Sequence, residues 1–258
     1  MKKNISILIL VCTLGLLWSC KKELELASPV SGTDGLAFLK IIDASPNFRQ
    51  VFKGSDSFNV YVNGVKINGT QLTYNSIFPS TTNLYAALPA GPQSIRISVN
   101  GKINPDSITL ASFNKTLTPN SYYSFILTDE AMTANESRQM FMQDKFALTD
   151  TSNYTLRFVN AVLNDPTAVD VYSFRSSSII FTNISPATAT NFIKLPYSLL
   201  TDTLSVRPTG TQTEITRINI SNGGTNDFRR GRPYTILYKG QFGITGTKGR
   251  SLTFYAND

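Results

Sequence analysis

Short runs of alternating apolar and polar residues, each closed by turn residues, begin near Leu36 and continue to the end of the chain. Residues 58–62 (Phe-Asn-Val-Tyr-Val) alternate and run into Asn63-Gly64, and residues 94–99 alternate and run into Asn100-Gly101. Period-two alternation predicts strands with one buried face. Asn-Gly predicts a tight hairpin, because both residues tolerate positive φ. Residues 122–127, 234–238 and 250–255 predict further strands. No segment sustains a helical period. The best helix candidate is short, within residues 130–142, where a loop fits equally well.

The pattern repeats. Residues 39–44 (Leu-Lys-Ile-Ile-Asp-Ala) match 156–161 (Leu-Arg-Phe-Val-Asn-Ala), and 58–61 (Phe-Asn-Val-Tyr) match 169–172 (Val-Asp-Val-Tyr). Leu88-Pro89 matches Leu195-Pro196, and Tyr123 matches Tyr234. The order is preserved and the spacing shifts by a few residues, as it does when copies differ by loop insertions. Each copy has room for about seven or eight short strands, the size of an antiparallel, immunoglobulin-like β-sandwich. Leu117-Thr-Pro-Asn-Ser-Tyr122, a Pro-containing turn followed by Tyr at a strand start, resembles the tyrosine corner of such folds. The expected body is therefore all-β: one sandwich over residues 36–147 and a second over 154–258. The short link between them predicts an end-to-end arrangement with limited freedom.

The first thirty-five residues differ from the rest. Lys2 and Lys3 precede a mostly apolar stretch from Ile5 to Trp18, too short to span a bilayer, which takes about 20 residues. It ends in Leu17-Trp18-Ser19-Cys20. This order resembles a bacterial lipobox. The resemblance implies removal of residues 1–19 as a signal peptide and acylation of the Cys20 thiol. Residues 20–35 then form a lipidated, flexible tether. No Asp follows Cys20, so the inner-membrane retention pattern is absent. The expected location is the outer membrane, facing either the periplasm or the cell surface.

Composition narrows the chemistry. The chain has 258 residues, no His, a formal charge of +7, and two Cys, both among the first twenty residues. Without His there is no Ser-His-Asp or Cys-His apparatus and no His-based zinc site. A mild, dispersed positive balance is not a nucleic-acid footprint. Carboxylates are the remaining catalytic candidates. The repeat places Asp43 opposite Asn160 and Asn59 opposite Asp170. An amide cannot ionise, so the shared property is an oxygen that accepts backbone hydrogen bonds in turns. Asp129, Glu130, Glu136 and Asp144 form a weak candidate for a divalent cation, and no cation-binding loop pattern accompanies them. Arg229, Arg230 and Arg232, in Phe-Arg-Arg-Gly-Arg-Pro-Tyr, are weak anion-binding candidates in what also reads as a turn before a strand. Asp106-Ser107-Ile108 and Asp202-Thr203-Leu204 resemble O-glycosylation acceptors of some Gram-negative envelopes. Tyr61, Tyr172 and Phe254 lie on alternating strands, where packing is the default role.

Residues 156–161, Asn164-Asp-Pro-Thr-Ala-Val-Asp-Val-Tyr172, and the Leu-Pro before an alternating strand resemble the bacterial "domain of unknown function 4397" family. The resemblance covers most of residues 36–258 and is better in the second copy. It implies an envelope location and a sandwich fold, and brings no activity. The resulting expectation is a non-catalytic envelope lipoprotein with no cofactor and no metal. It would be held to the membrane by its lipid and would bind an unidentified protein or glycan. The alternatives are a carbohydrate-binding accessory of a polysaccharide uptake system and, in a third class, a glycoside hydrolase with paired carboxylates.

Overall fold

A computed structural model describes residues 34–46, 57–80, 84–99, 108–128, 139–147, 151–162, 164–197, 201–221 and 228–257. Cys20, the signal segment and the tether lie outside the described residues. So do Asp106, Ser107, Asp129, Glu130 and Glu136.

The alternating runs form strands. The first half holds β1 (Leu36–Asp43), β2 (Asn59–Val62), β3 (Val65–Lys66), β4 (Ile77–Phe78), β5 (Ala86–Pro89), β6 (Gly91–Val99), β7 (Ile108–Leu117), β8 (Tyr122–Leu127) and β9 (Met140–Gln143). The second half holds β10 (Asn153–Asn160), β11 (Val169–Ser173), β12 (Ser178–Ile184), β13 (Thr188–Ala189), β14 (Ile193–Pro196), β15 (Asp202–Pro208), β16 (Thr216–Ile220), β17 (Pro233–Lys239) and β18 (Ser251–Ala256). One sheet of the first half runs β4-β1-β8-β9, with β5 also on β1, and the other runs β3-β2-β6-β7. The second half repeats both, as β13-β10-β17-β18 with β14 on β10, and β12-β11-β15-β16. The all-β sandwich reading is borne out. The nine described strands per half exceed the expected seven or eight because β3 and β4, and their counterpart β13, are two-residue pieces. The end of the segment weighed as a helix is strand β9.

Registers match as well as order. Leu39 pairs with Tyr123 and Leu156 with Tyr234, at equivalent positions of the two halves. These pairings, β1 with β8 and β10 with β17, are parallel, whereas the other ladders are antiparallel. Asn63 and Gly64 take φ of 49° and 81° at the β2–β3 turn, as the Asn-Gly signal requires. The corner tyrosine of the first half is Tyr123 rather than the expected Tyr122, and its counterpart in the second half is Tyr234. Each hydroxyl accepts a backbone N–H from five residues upstream, Thr118 at 2.9 Å and Arg229 at 2.6 Å.

Three apolar clusters hold the body. Ala37, Leu39 and Ile41 of β1 face Phe58, Val60, Ile95, Phe113 and Phe125 inside the first sandwich. Leu156 and Phe158 of β10 face Val171, Phe181, Leu204, Val206 and Ile236 inside the second. The third cluster joins the halves: Ile42, Ala44, Ile126 and Met140 pack against Val159, Ala161, Leu237 and Tyr255. Both faces of β1, β8, β10 and β17 are therefore covered. The end-to-end expectation is corrected: the halves pack sheet against sheet, and residues 35–258 form one compact unit. Each Ile, Leu or Val fully buried at this seam contributes about 1.5–3 kcal/mol, so the surfaces stay together.

Candidate functional site

The charged residues that alternation places outside β1 and β10 are at this seam. Lys40 is fully buried; its Nζ donates to the Ala256 carbonyl at 2.6 Å and lies over the rings of Tyr85 and Tyr255, at 4.3 and 4.9 Å. The Asp144 carboxylate is 2.7 Å from Arg157 Nη1, an ion pair closed to solvent, and accepts from Ser124 Oγ at 2.7 Å and Tyr85 Oη at 2.8 Å. Arg157 also donates to Thr235 Oγ1, which donates to Asn257, which donates to Tyr85. Burial pulls the Arg157 pKa down, but the charge and hydrogen bond of Asp144 together with the Tyr255 and Tyr85 phenols outweigh it and hold the guanidinium above its usual value. Burial, then Asp144, pushes the Tyr85 phenol far up. These groups are locked in a ring of mutual bonds. Asp144 is thus a structural counter-charge and not a ligand held ready for a cation.

The other described carboxylates that had to be weighed for chemistry also carry local duties. Asp43 Oδ1 accepts the Ser45 N–H at 3.0 Å and Asn160 Oδ1 accepts the Val162 N–H at 3.2 Å, the same turn in both copies. This is the shared acceptor role read from the Asp/Asn exchange. Asp170 accepts backbone N–H groups of Asn183 and Gly210 and hydroxyls of Thr182 and Thr209. Asn59, its counterpart, accepts from Asn68 Nδ2. Asp202 accepts from Ser173 Oγ and the Arg175 N–H. Thr203 beside it donates to Asn219 at 3.0 Å. Among the described residues no group of three or more Cys, Asp or Glu is placed to hold a metal ion.

Arg229 and Arg230 are exposed and Arg232 is half-buried, on the turn into β17. Gly231 takes φ 72° and donates its N–H to the Asn153 carbonyl, while Arg230 lies over Tyr197 at 5.0 Å. Phe228 stacks flat on Tyr234 at 4.2 Å. The stretch closes the corner.

An unforeseen surface lies on the outer face of the second sandwich. Val169 and Val171 of β11 point into the core, so Tyr172 points out, with Phe174 following on the same side. The two rings meet edge to face at 5.2 Å. Arg207 of β15 lies over Tyr172 at 4.0 Å and near Phe174 at 5.7 Å, and Arg217 of β16 approaches Phe174 at 5.9 Å. Gln212 accepts from Arg207 at 2.7 Å, and Glu214 accepts from Arg217 at 2.6 Å and Ser205 at 2.9 Å. Burial raises the Glu214 pKa, but these donors outweigh it and hold the carboxyl low. Phe174 is 45% exposed and Ile179, beside Tyr172 on β12, is 49% exposed. The first sandwich carries a smaller version, with Arg96 over Tyr61 at 4.1 Å. An aromatic–guanidinium surface edged by amide, carboxylate and hydroxyl groups suits a ligand with an apolar face and a polar rim. Alternation alone assigns Tyr172 to packing and gives Phe174 no role. The signal that points to them is an aromatic at i and i+2 on one strand face.

Two repeated sandwiches, the second with Phe174 exposed on its outer face, make up an all-β body. The family model for "Domain of unknown function (DUF4397)" matches residues 37–172, and the chain belongs to that family. No curated protein matches it. Among solved structures, the Bacillus anthracis TIE protein is similar at 12% identity and TM-score 0.23, over 79% of this chain and 34% of that one. The chain thus spans about a third of that protein's length. A proposed polysaccharide-binding protein (DUF1812) of Bacteroides thetaiotaomicron is similar at 12% identity and TM-score 0.27, over 86% of this chain and 96% of that one.

Proposed function

We propose that this protein is a non-catalytic lipoprotein of the cell envelope that binds a glycan through the outer face of its second sandwich. The observation that carries the reading is the pair of half-buried Tyr172 and exposed Phe174, flanked by Arg207 and Arg217. Solvent-facing aromatic rings beside Arg are costly to leave uncovered and are the residue types that dominate binding energy. The lipobox-like segment ending at Cys20 supports anchoring at the outer membrane, with residues 21–35 as the spacer.

Affinity electrophoresis in gels containing neutral and acidic polysaccharides tests the binding. Retardation of the wild type that is lost in Phe174→Ala, with an unchanged melting temperature, supports the reading. Equal mobility of wild type and variant in every gel overturns it, and capture of a protein by the same face would replace glycan with protein as the partner. Acylation is tested by palmitate labelling, which Cys20→Ala should abolish.

A further inference from the structure

We infer that a cleft at the seam between the sandwiches is a second binding site, for a neutral saccharide unit. The inference deepens the glycan-binding reading and rests on it. The cleft has a volume of about 580 Å³ and lies between residues 69–80 of the first half and Thr253 and Phe254 of β18 in the second. That volume falls within the range of about 300–1,000 Å³ typical of small-ligand sites. Both halves build it, and the buried seam fixes their spacing, so the site is formed before a ligand arrives and binding costs little ordering.

Its chemistry selects the ligand. Ile77, Phe78 and Pro79, all half-buried, supply apolar surface, whereas the Phe254 ring borders the cleft but packs against Phe228 in the second core. Gln71, Asn75, Ser80 and Thr253 supply an amide and hydroxyl rim. Among the described residues these four side chains make no hydrogen bond to protein, whereas the polar groups of the neighbouring seam are paired with one another. Among the described residues no Lys, Arg, Asp or Glu lines the cleft. A charged ligand would lose its hydration without gaining a counter-charge. A sugar ring, with apolar C–H faces for Ile77, Phe78 and Pro79 and neutral hydroxyls for amides and hydroxyls, exchanges its bonds to water for equivalent bonds to protein.

The test is calorimetric titration of the detergent-solubilised full chain with malto-, cello-, manno- and xylotriose, and with digalacturonate as the anionic control. The expected result is that one or more of the neutral trisaccharides binds. Thr253→Trp, which fills the cleft, and Gln71→Ala, a milder surface change, should each weaken that binding at least tenfold. Val65→Ser, an exposed position on β3 outside both the cleft and the outer face of the second sandwich, should leave it unchanged. Neutral binding indifferent to both cleft variants overturns the inference. If that binding disappears in Phe174→Ala instead, the cleft is refuted while the outer-face reading stands. Binding of digalacturonate alone, or of no trisaccharide, also refutes the cleft, and the polysaccharide gels then decide the outer face separately.

Discussion

Replacing Asp144 with Asn should destabilise the whole body, because Asp144 is the counter-charge of the seam. Its carboxylate and the Arg157 guanidinium are 2.7 Å apart with side-chain exposures of 0% and 4%. Lys40 is buried in the same layer, where a carbonyl and two aromatic rings meet its ammonium group. The substituted amide would still accept one hydroxyl bond, but the Arg157 guanidinium would lose the carboxylate that balances it. Removing one member of a buried pair costs about 3–5 kcal/mol, a large part of a total stability of about 5–15 kcal/mol. Urea unfolding should therefore show a midpoint drop of that size at constant slope. The double variant Asp144→Leu/Arg157→Met should recover most of the loss, since a packed apolar pair removes the buried ion pair altogether. The solvent-accessible pair of exposed Arg217 and half-buried Glu214 is the internal control: Glu214→Gln should cost less than about 1 kcal/mol. A loss below about 1 kcal/mol for Asp144→Asn would refute the assignment of Asp144 as the seam's counter-charge.

Other outcomes follow from single residues. Tyr123→Phe and Tyr234→Phe each leave a backbone N–H without its phenol acceptor and should cost about 1 kcal/mol, additively because the corners are far apart, as read from urea midpoints. Burial raises the Asp170 pKa, but the N–H groups of Asn183 and Gly210 and the hydroxyls of Thr182 and Thr209 outweigh it and hold the carboxyl below its usual range. Its contribution to stability is complete above an unfolded pKa of about 4 and is lost as pH falls through the lowered folded value. Melting curves from pH 5 to pH 2 should be less steep in Asp170→Asn. Burial lowers the Lys239 pKa from 10.5 to about 8, with Ser251 Oγ 3.1 Å from its Nζ. The unfolded chain then holds that proton more tightly, so the melting temperature should rise as pH increases from about 8 toward 10. Lys239→Met should remove that slope.

Much of the fold is legible in local signals. Asn63-Gly64 announces its hairpin, the paired segments around Leu39 and Leu156 announce the repeat, and the Asp43/Asn160 exchange announces a turn acceptor. Each depends on chemistry within a few residues. The seam is not legible, for a physical reason. Lys40 and Arg157 occupy the positions where alternation puts solvent, and their charge marks that face as exposed. Partners distant in sequence, among them Tyr85, Tyr255 and the Ala256 carbonyl for Lys40 and Asp144 and Thr235 for Arg157, make their burial tolerable. The outer-face site is half legible. Tyr172 and Phe174 share a strand face by counting, but the arrival of Arg207 and Arg217 beside them depends on the β11–β15 and β15–β16 registers, which alternation leaves open. The seam cleft combines a loop of one copy with the edge strand of the other, and no local pattern encodes it.

Whether the outer face grips or reacts is decided by incubating the purified protein with each polysaccharide that retards it in gels and following new reducing ends over hours. A surface that only binds gives retention through Tyr172 and Phe174 with no increase in reducing ends over a protein-free control. Sustained release of reducing ends by the wild type, abolished by substitution of a carboxylate, would contradict a non-catalytic role.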